Sequence, residues 1–283
     1  MWSMFELFPE ELQIDILDIG AALNERPPYQ SLVDAGRARI IGFEPNPQEC
    51  ERLNREYGEP HRFFPCFVGD GKTAIFHETN WSLTGSLYEP NSPLLEKFQN
   101  LAEVVQPVAM HLVSTTRVDD LSEIDNVDFI KIDVQGSELT VFQNASRLLA
   151  GTLLIQAEVL FVELYRNQPM FADVDILLRS MGFQFHAFDS VGRRAFKPLM
   201  ANRDINSGVR QILWADALYV RDWMNLEELD AQKLRKYAVL AHDILRSYDL
   251  AHLVLAALDN KIGTSFAVTY LNRLVNKVSS SKS

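Results

Sequence analysis

Acidic residues and glycine turns recur in this chain at or near the ends of short apolar runs, where chemistry is most easily placed. Asp18 with Gly20 and Ala21, Glu44 with Pro45 and Asn46, Gly69 with Asp70, then Asp133 and Glu158 all stand at such points. A carboxylate there can accept hydrogen bonds from a ligand or take a proton from a weak nucleophile. Each position has a use for a bound nucleoside. Gly20 lets the backbone approach a ligand with no Cβ in the way. Glu44 is placed to accept from both ribose hydroxyls, and Asp70 from an exocyclic adenine amine. Asp18 and Asp133 suit an ammonium or a sulfonium. Taken singly, each is more readily a helix cap or a solvated turn residue. Their shared location sets them apart.

The elements that must carry these residues alternate. Apolar runs at 14–19, 38–43, 62–68, 127–132 and 153–161 are too short for helices and read as buried parallel strands. Helical stretches lie between them: 29–35, 47–57 with Asn46 as cap and Gly58 as stop, 94–105, 137–149 and 172–181. Strands at 183–188 and 211–220 follow, the last expected to be antiparallel and to return to the sheet edge. This alternation predicts a doubly wound α/β sheet, with ligands at the carboxyl ends of the strands. Residues 79–93 form a long polar loop in which Trp81, Ser82 and Ser86 suit a sugar face or a cation, or simply anchor the loop. Gln135 and Glu138 open the helix after Asp133. Gln135 suits substrate contact or backbone satisfaction, and Glu138 either substrate contact or a first-turn dipole partner.

Several function classes are disfavoured. After Gly20 the chain reads Ala21-Ala22-Leu23-Asn24-Glu25, with no second glycine for a dinucleotide pyrophosphate and a carboxylate that would repel one. The formal net charge of −11 argues against a nucleic-acid backbone as partner. No apolar stretch reaches the length of a membrane span. Two isolated cysteines, Cys50 and Cys66, fit a reducing, cytoplasmic setting, and the N-terminus lacks a signal-peptide pattern. The six histidines show no metal-ligand spacing, so no metal site is expected from them, a site assembled from Asp133, Glu158 and distant residues stays open, and His186 and His77 are only alternative bases. A composition change after Trp223 divides a domain of residues 1–222 from a helical extension of residues 223–283. The extension's apolar face leaves a homo-oligomer open.

The segments Asp18-Ile19-Gly20-Ala21, Gly42-Phe43-Glu44-Pro45-Asn46, Val68-Gly69-Asp70-Gly71 and Glu158-Val159-Leu160-Phe161 resemble the FkbM-type methyltransferases. The block Ile130-Lys131-Ile132-Asp133-Val134-Gln135-Gly136-Ser137-Glu138 is the most specific part of the match, and Leu164-Tyr165 and Leu213-Trp214-Ala215-Asp216-Ala217 extend it. The resemblance implies a class I methyltransferase fold, S-adenosyl-L-methionine as donor, and transfer to a hydroxyl of a sugar, glycan or natural product. It puts Asp18 and Gly20 at the methionine end, Glu44 on the ribose, Asp70 near the adenine, and Asp133 between donor and acceptor. Asp133 and Glu158 are then the catalytic candidates. Ala22 and Pro27-Pro28 stand where many relatives carry Asn and a second Gly, so the donor loop takes a different path here. The competing expectation is a non-catalytic protein that keeps the fold for binding and uses its helical tail for interaction.

Overall fold

Runs such as Ile14–Ile19 and Phe129–Ile132 are mostly apolar, apart from Asp15, Asp18 and Lys131, because the strands they make are covered on both sides. A computed structural model describes residues 2–8, 11–22 and 26–280, the side chains of 276–280 excepted. The 23–25 stretch that bears on the pyrophosphate, and residues 281–283 of the expected frayed tail, lie outside the described residues. In chain order the strands are β1 (Ile14–Ile19), β2 (Ala38–Phe43), β3 (Arg62–Phe64), β4 (Phe67–Val68), β5 (Thr73–Thr79), β6 (Pro107–Thr116), β7 (Phe129–Ile132), β8 (Leu154–Leu160), β9 (Phe183–Arg193) and β10 (Ile212–Arg221). The helices among them are α1 (Gln30–Asp34), α2 (Pro47–Tyr57), α3 (Ser92–Leu95), α4 (Leu101–Val104), α5 (Glu138–Gln143), α6 (Ser146–Gly151) and α7 (Phe171–Ser180). After β10 come α8 (Ala231–Val239), α9 (Tyr248–Ile262) and α10 (Phe266–Ser280).

The chain divides into two compact units, one of residues 16–24 and 40–220, the other of residues 1–15, 25–39 and 221–283. The first carries the body of a seven-stranded sheet in the order β3-β2-β1-β7-β8-β10-β9. β7 runs parallel to both β1 and β8, while β10 is antiparallel to β8. Strand order reverses between β1 and β7, and that crevice is where such sheets bind ligands. This is the mostly parallel, doubly wound sheet of the class I methyltransferase fold. Leu17, Ile130, Ile132, Ile155 and Ala157 from the strands pack with Val141, Phe142, Leu148, Val174 and Leu178 from the helices in one buried core.

Four details depart from the expected elements. β10 does not return to the edge: it inserts between β8 and β9, leaving β9 outermost. The expected strand over 62–68 breaks at Pro65, which has no N–H for a ladder, and Phe67-Val68 joins β6 instead. β4, β6 and β5 thus make a second, three-stranded sheet. The helix expected over 94–105 divides into α3, which ends at Leu95, and α4, which opens after Asn100 in a left-handed conformation (φ 58°). Likewise the helix after Asp133 stops at Asn144 and restarts as α6.

In the second unit α8, α9 and α10 bury Leu234, Tyr237, Leu240, Val254, Leu255 and Tyr270. A π-helical turn, Leu240–Ile244, follows α8. From it His242 bonds to the Tyr270 hydroxyl (2.9 Å) and to the Trp2 carbonyl (3.2 Å). The neighbouring Asp243 accepts from Met4 N (3.1 Å) and Ser3 Oγ (3.2 Å). Among the described residues, no helix is long and apolar enough to cross a membrane.

Candidate active site

Parallel pairing of β1 with β7 sets Asp18 directly beside Lys131. The Lys131 ammonium lies 3.2 Å from Asp18 Oδ1 and donates to the Gly20 carbonyl at 2.8 Å. Burial works to lower the lysine's pKa, but Asp18 and Asp133 outweigh it and hold the ammonium above its ordinary value. Asp18 is fully buried, so the ammonium it holds is an internal one. Gly20 has φ +79°, and a Cβ there would come within 2.0 Å of the Asp133 carbonyl oxygen. Close packing of β1 on β7 therefore demands the glycine in its own right.

At the neighbouring strand end, Gly20 N and Ala21 N both donate to the Phe43 carbonyl. Glu44 follows Phe43, nearly buried, and accepts from Asn46 N at 2.8 Å. Burial raises its pKa, opposed by the hydrogen bonds from the Asn46 and Ala22 amides. Asn46 Oδ1 in turn caps α2 through Gln48 N and Glu49 N, with Pro47 opening the helix. Glu44, Ala21 and the cap of α2 thus share one corner. Gly69 and Asp70 end β4 in the smaller sheet, where a Cβ on Gly69 would meet Thr115. Asp70 is partly exposed and pairs with Lys72 (2.8 Å), which holds its carboxyl below the usual range.

The ends of β7 and β8 gather a different set. Gln135, with φ +52°, sends its amide between two carboxylates. Its Nε2 donates to Asp133 Oδ1 at 2.7 Å and to Glu158 Oε2 at 2.9 Å. The Gln135 Oε1 accepts from the Tyr165 hydroxyl at 2.8 Å, and the Thr84 carbonyl lies 3.0 Å from the same hydroxyl. A phenol has one proton, so Tyr165 can serve only one of these acceptors at a time. Burial, with Asp133 and Glu138 close by, pushes Glu158 well above the carboxylate range. Glu138 is pushed up to about 8, chiefly by burial, although its Oε1 accepts from Val134 N (2.9 Å) and more weakly from Gly136 N (3.4 Å). It braces the turn between β7 and α5. Asp216 lies opposite Glu158 on β10 and is raised by burial, while Ser190 of β9 donates to it at 2.5 Å.

Asp133, Glu138 and Glu158 each bring one carboxylate oxygen within 4.8 Å of the others. That donor set suits a divalent cation. The loop expected to cover a site reaches this one through Ser86, which is buried and donates to the Gln135 carbonyl at 2.6 Å. Trp81 and Ser82 of the same loop are exposed and do not join the carboxylates. Lys131, Tyr165 and Asp216 had no role in the sequence reading. Tyr165 and Asp216 lie in matched segments, but their partners depend on strand order and on a loop 81 residues away in sequence from Tyr165.

No curated protein matches the sequence. Among solved structures, a precorrin-6y C5,15-methyltransferase from Geobacter metallireducens GS-15 is 12% identical with a TM-score of 0.36, covering 77% of this chain and 85% of its own. A SAM-dependent methyltransferase from Aquifex aeolicus is 10% identical with a TM-score of 0.32, covering 77% and 87%. A mutant 16S rRNA (adenine(1408)-N(1))-methyltransferase from Catenulisporales acidiphilia is 10% identical with a TM-score of 0.32, covering 75% and 89%. The model of the methyltransferase FkbM domain matches residues 18–185, from Asp18 at the end of β1 into β9. More than half of the chain, including Asp18, Glu44, Asp133 and Glu158, lies inside that match, and the chain belongs to the FkbM methyltransferase domain family.

Proposed function

We propose that this protein transfers a methyl group from S-adenosyl-L-methionine to a hydroxyl of a sugar, glycan or natural product. The observation that carries the reading is the Asp133–Gln135–Glu158 arrangement at the ends of β7 and β8. A neutral hydroxyl is a weak nucleophile, and most of the rate comes from alignment and removal of its proton. Asp133 accepts the hydroxyl proton as the new oxygen–carbon bond forms. Glu158, its pKa raised by burial and by Asp133, positions the acceptor. Gln135 aims both carboxyls, and Ser86 holds the Gln135 backbone.

The donor supplies an electrophilic methyl group on a sulfonium. Its corner is the β1–β2 end: Glu44 for the ribose hydroxyls, and Gly20, Ala21, Pro45 and Asn46 for close backbone approach. The chemistry of that corner supports the fit, since Glu44 is a nearly buried carboxylate beside the Gly20–Ala21 turn, whose amides are fixed on the Phe43 carbonyl. Asp70 and Gly69 complete the adenine side, and Trp81 and Ser82 extend the acceptor side. Incubation with methyl-labelled donor and a panel of sugars, polyketides, amines and RNA tests the reading. Label transferred to hydroxyl oxygen is expected. Label confined to nitrogen or to RNA refutes hydroxyl transfer.

A further inference from the structure

The connection between β9 and β10 differs in character from the rest of the molecule. Residues 193–210 hold five basic side chains, Arg193, Arg194, Lys197, Arg203 and Arg210, against the single acid Asp204, in a chain whose net charge is −11. The same segment exposes five large apolar side chains: Leu199 at 70%, Val209 at 66%, Phe196 at 52%, Met200 at 51% and Ile205 at 42%. Surface apolar residues are ordinary when scattered, but a contiguous group rimmed by charge marks a contact surface.

The exposure is built in. The base of the connection is fastened: Lys197 N donates to the Lys97 carbonyl (2.8 Å) and Gln99 N to the Ala195 carbonyl (2.9 Å). Phe196 stacks on Phe98 at 4.5 Å, and the Arg194 guanidinium lies 5.1 Å over the Trp214 ring while bonding to the Asn206 carbonyl. Asn202 and Arg203 hold successive left-handed conformations (φ 54° and 58°), which cost energy outside glycine. Lys197 pairs with Glu103 at 2.7 Å. Arg193, Arg203 and Arg210 make no ion pair among the described residues.

We infer that this connection is a peripheral contact surface for an anionic lipid bilayer. Apolar tips enter the acyl boundary and arginines meet the headgroups, the usual division of labour at a membrane surface. The acidic remainder of the chain is repelled by such a surface, so the connection also fixes which face approaches. A nucleic acid would use the arginines but leave Leu199, Met200, Ile205 and Val209 uncovered, which favours the bilayer. The inference does not depend on the identity of the methyl acceptor.

Flotation of the full chain with vesicles tests it. One set is phosphatidylcholine alone, and the other contains about 30% phosphatidylglycerol, each at low and high salt. Binding only to the anionic vesicles, weakened by salt, is expected. The triple variant R193Q/R203Q/R210Q should lose affinity about a hundredfold, near fivefold for each charge. L199S/M200S should lose about tenfold or more, with no change in thermal midpoint. Absence of vesicle binding by the wild-type chain overturns the proposal, and so does binding that neither variant reduces. Capture of an RNA hairpin that depends on the arginines but not on Leu199 and Met200, without vesicle binding, reassigns the surface to nucleic acid.

Discussion

Two buried carboxylate settings lie one strand apart, and they are balanced differently. Between β1 and β7, Asp18 is matched by the Lys131 ammonium, and the lysine's remaining reach goes to the Gly20 carbonyl. Between β7 and β8, Asp133 and Glu158 share only the neutral amide of Gln135, with Glu138 close by. A paired buried charge is a structural feature that stays in one state. Clustered carboxyls without a bonded cation must hold protons, bind a cation or hand protons on, and carboxyls raised by burial as Glu138 and Glu158 are mark functional sites. The sequence shows Asp18 and Asp133 as like residues after like strands. Only the register separates their tasks.

The largest expected effect breaks the second setting. Asp133→Asn keeps the Gln135 contact nearly isosteric but removes the proposed proton acceptor, and turnover should fall about 10²–10⁴-fold. Steady-state transfer to the acceptor found in the panel measures it. The first setting breaks differently: Lys131→Met leaves Asp18 buried without its cation and should cost about 3–5 kcal/mol of stability. Denaturant unfolding reads that loss, and Lys131→Met with Asp18→Leu should recover most of it.

Asp243 sharpens the comparison as a carboxyl held by the neutral donors Met4 N and Ser3 Oγ. Burial, its largest influence, pushes the pKa from 3.8 up to about 6 against those hydrogen bonds. The folded state then binds the proton more tightly than the unfolded chain. The stability this contributes is complete below about pH 3.8 and is lost as pH rises towards 6. Asp243→Asn should remove that slope, worth about 2–3 kcal/mol by urea unfolding at pH 4 and pH 7. The smallest effect is Tyr165→Phe. It frees the Gln135 side-chain Oε1 and should reduce turnover about five- to tenfold, the scale of one hydrogen bond, with little change in donor affinity.

Much of this architecture is legible in the sequence for a local reason. Short apolar runs ending in Asp18, Glu44, Asp133 and Glu158 are each complete within a few residues, and so is the Asn46 cap on α2. What escapes local reading is set by distant partners. The insertion of β10 beside β8, and hence the place of Asp216, is a choice among sheet positions that no short pattern encodes. Lys131 looks like a stray charge in an apolar strand until Asp18 is aligned with it. Helices α3 and α5 stop at Leu95 and Gln143, inside stretches whose apolar spacing would have carried a helix through. Tyr165 reaches Gln135 only because the 84–91 loop pairs with the 163–168 segment, where Asn91 N bonds to Leu164 and Arg166 N to Glu89.

The most direct test of the division between the two strand-end regions is calorimetric titration with S-adenosylhomocysteine. Wild type, Glu44→Ala and Asp133→Asn are compared side by side at equal folded concentration. The account predicts clear binding by wild type, near-equal binding by Asp133→Asn, and loss of binding in Glu44→Ala. No binding by folded wild type, or a loss in Asp133→Asn as large as in Glu44→Ala, would contradict it.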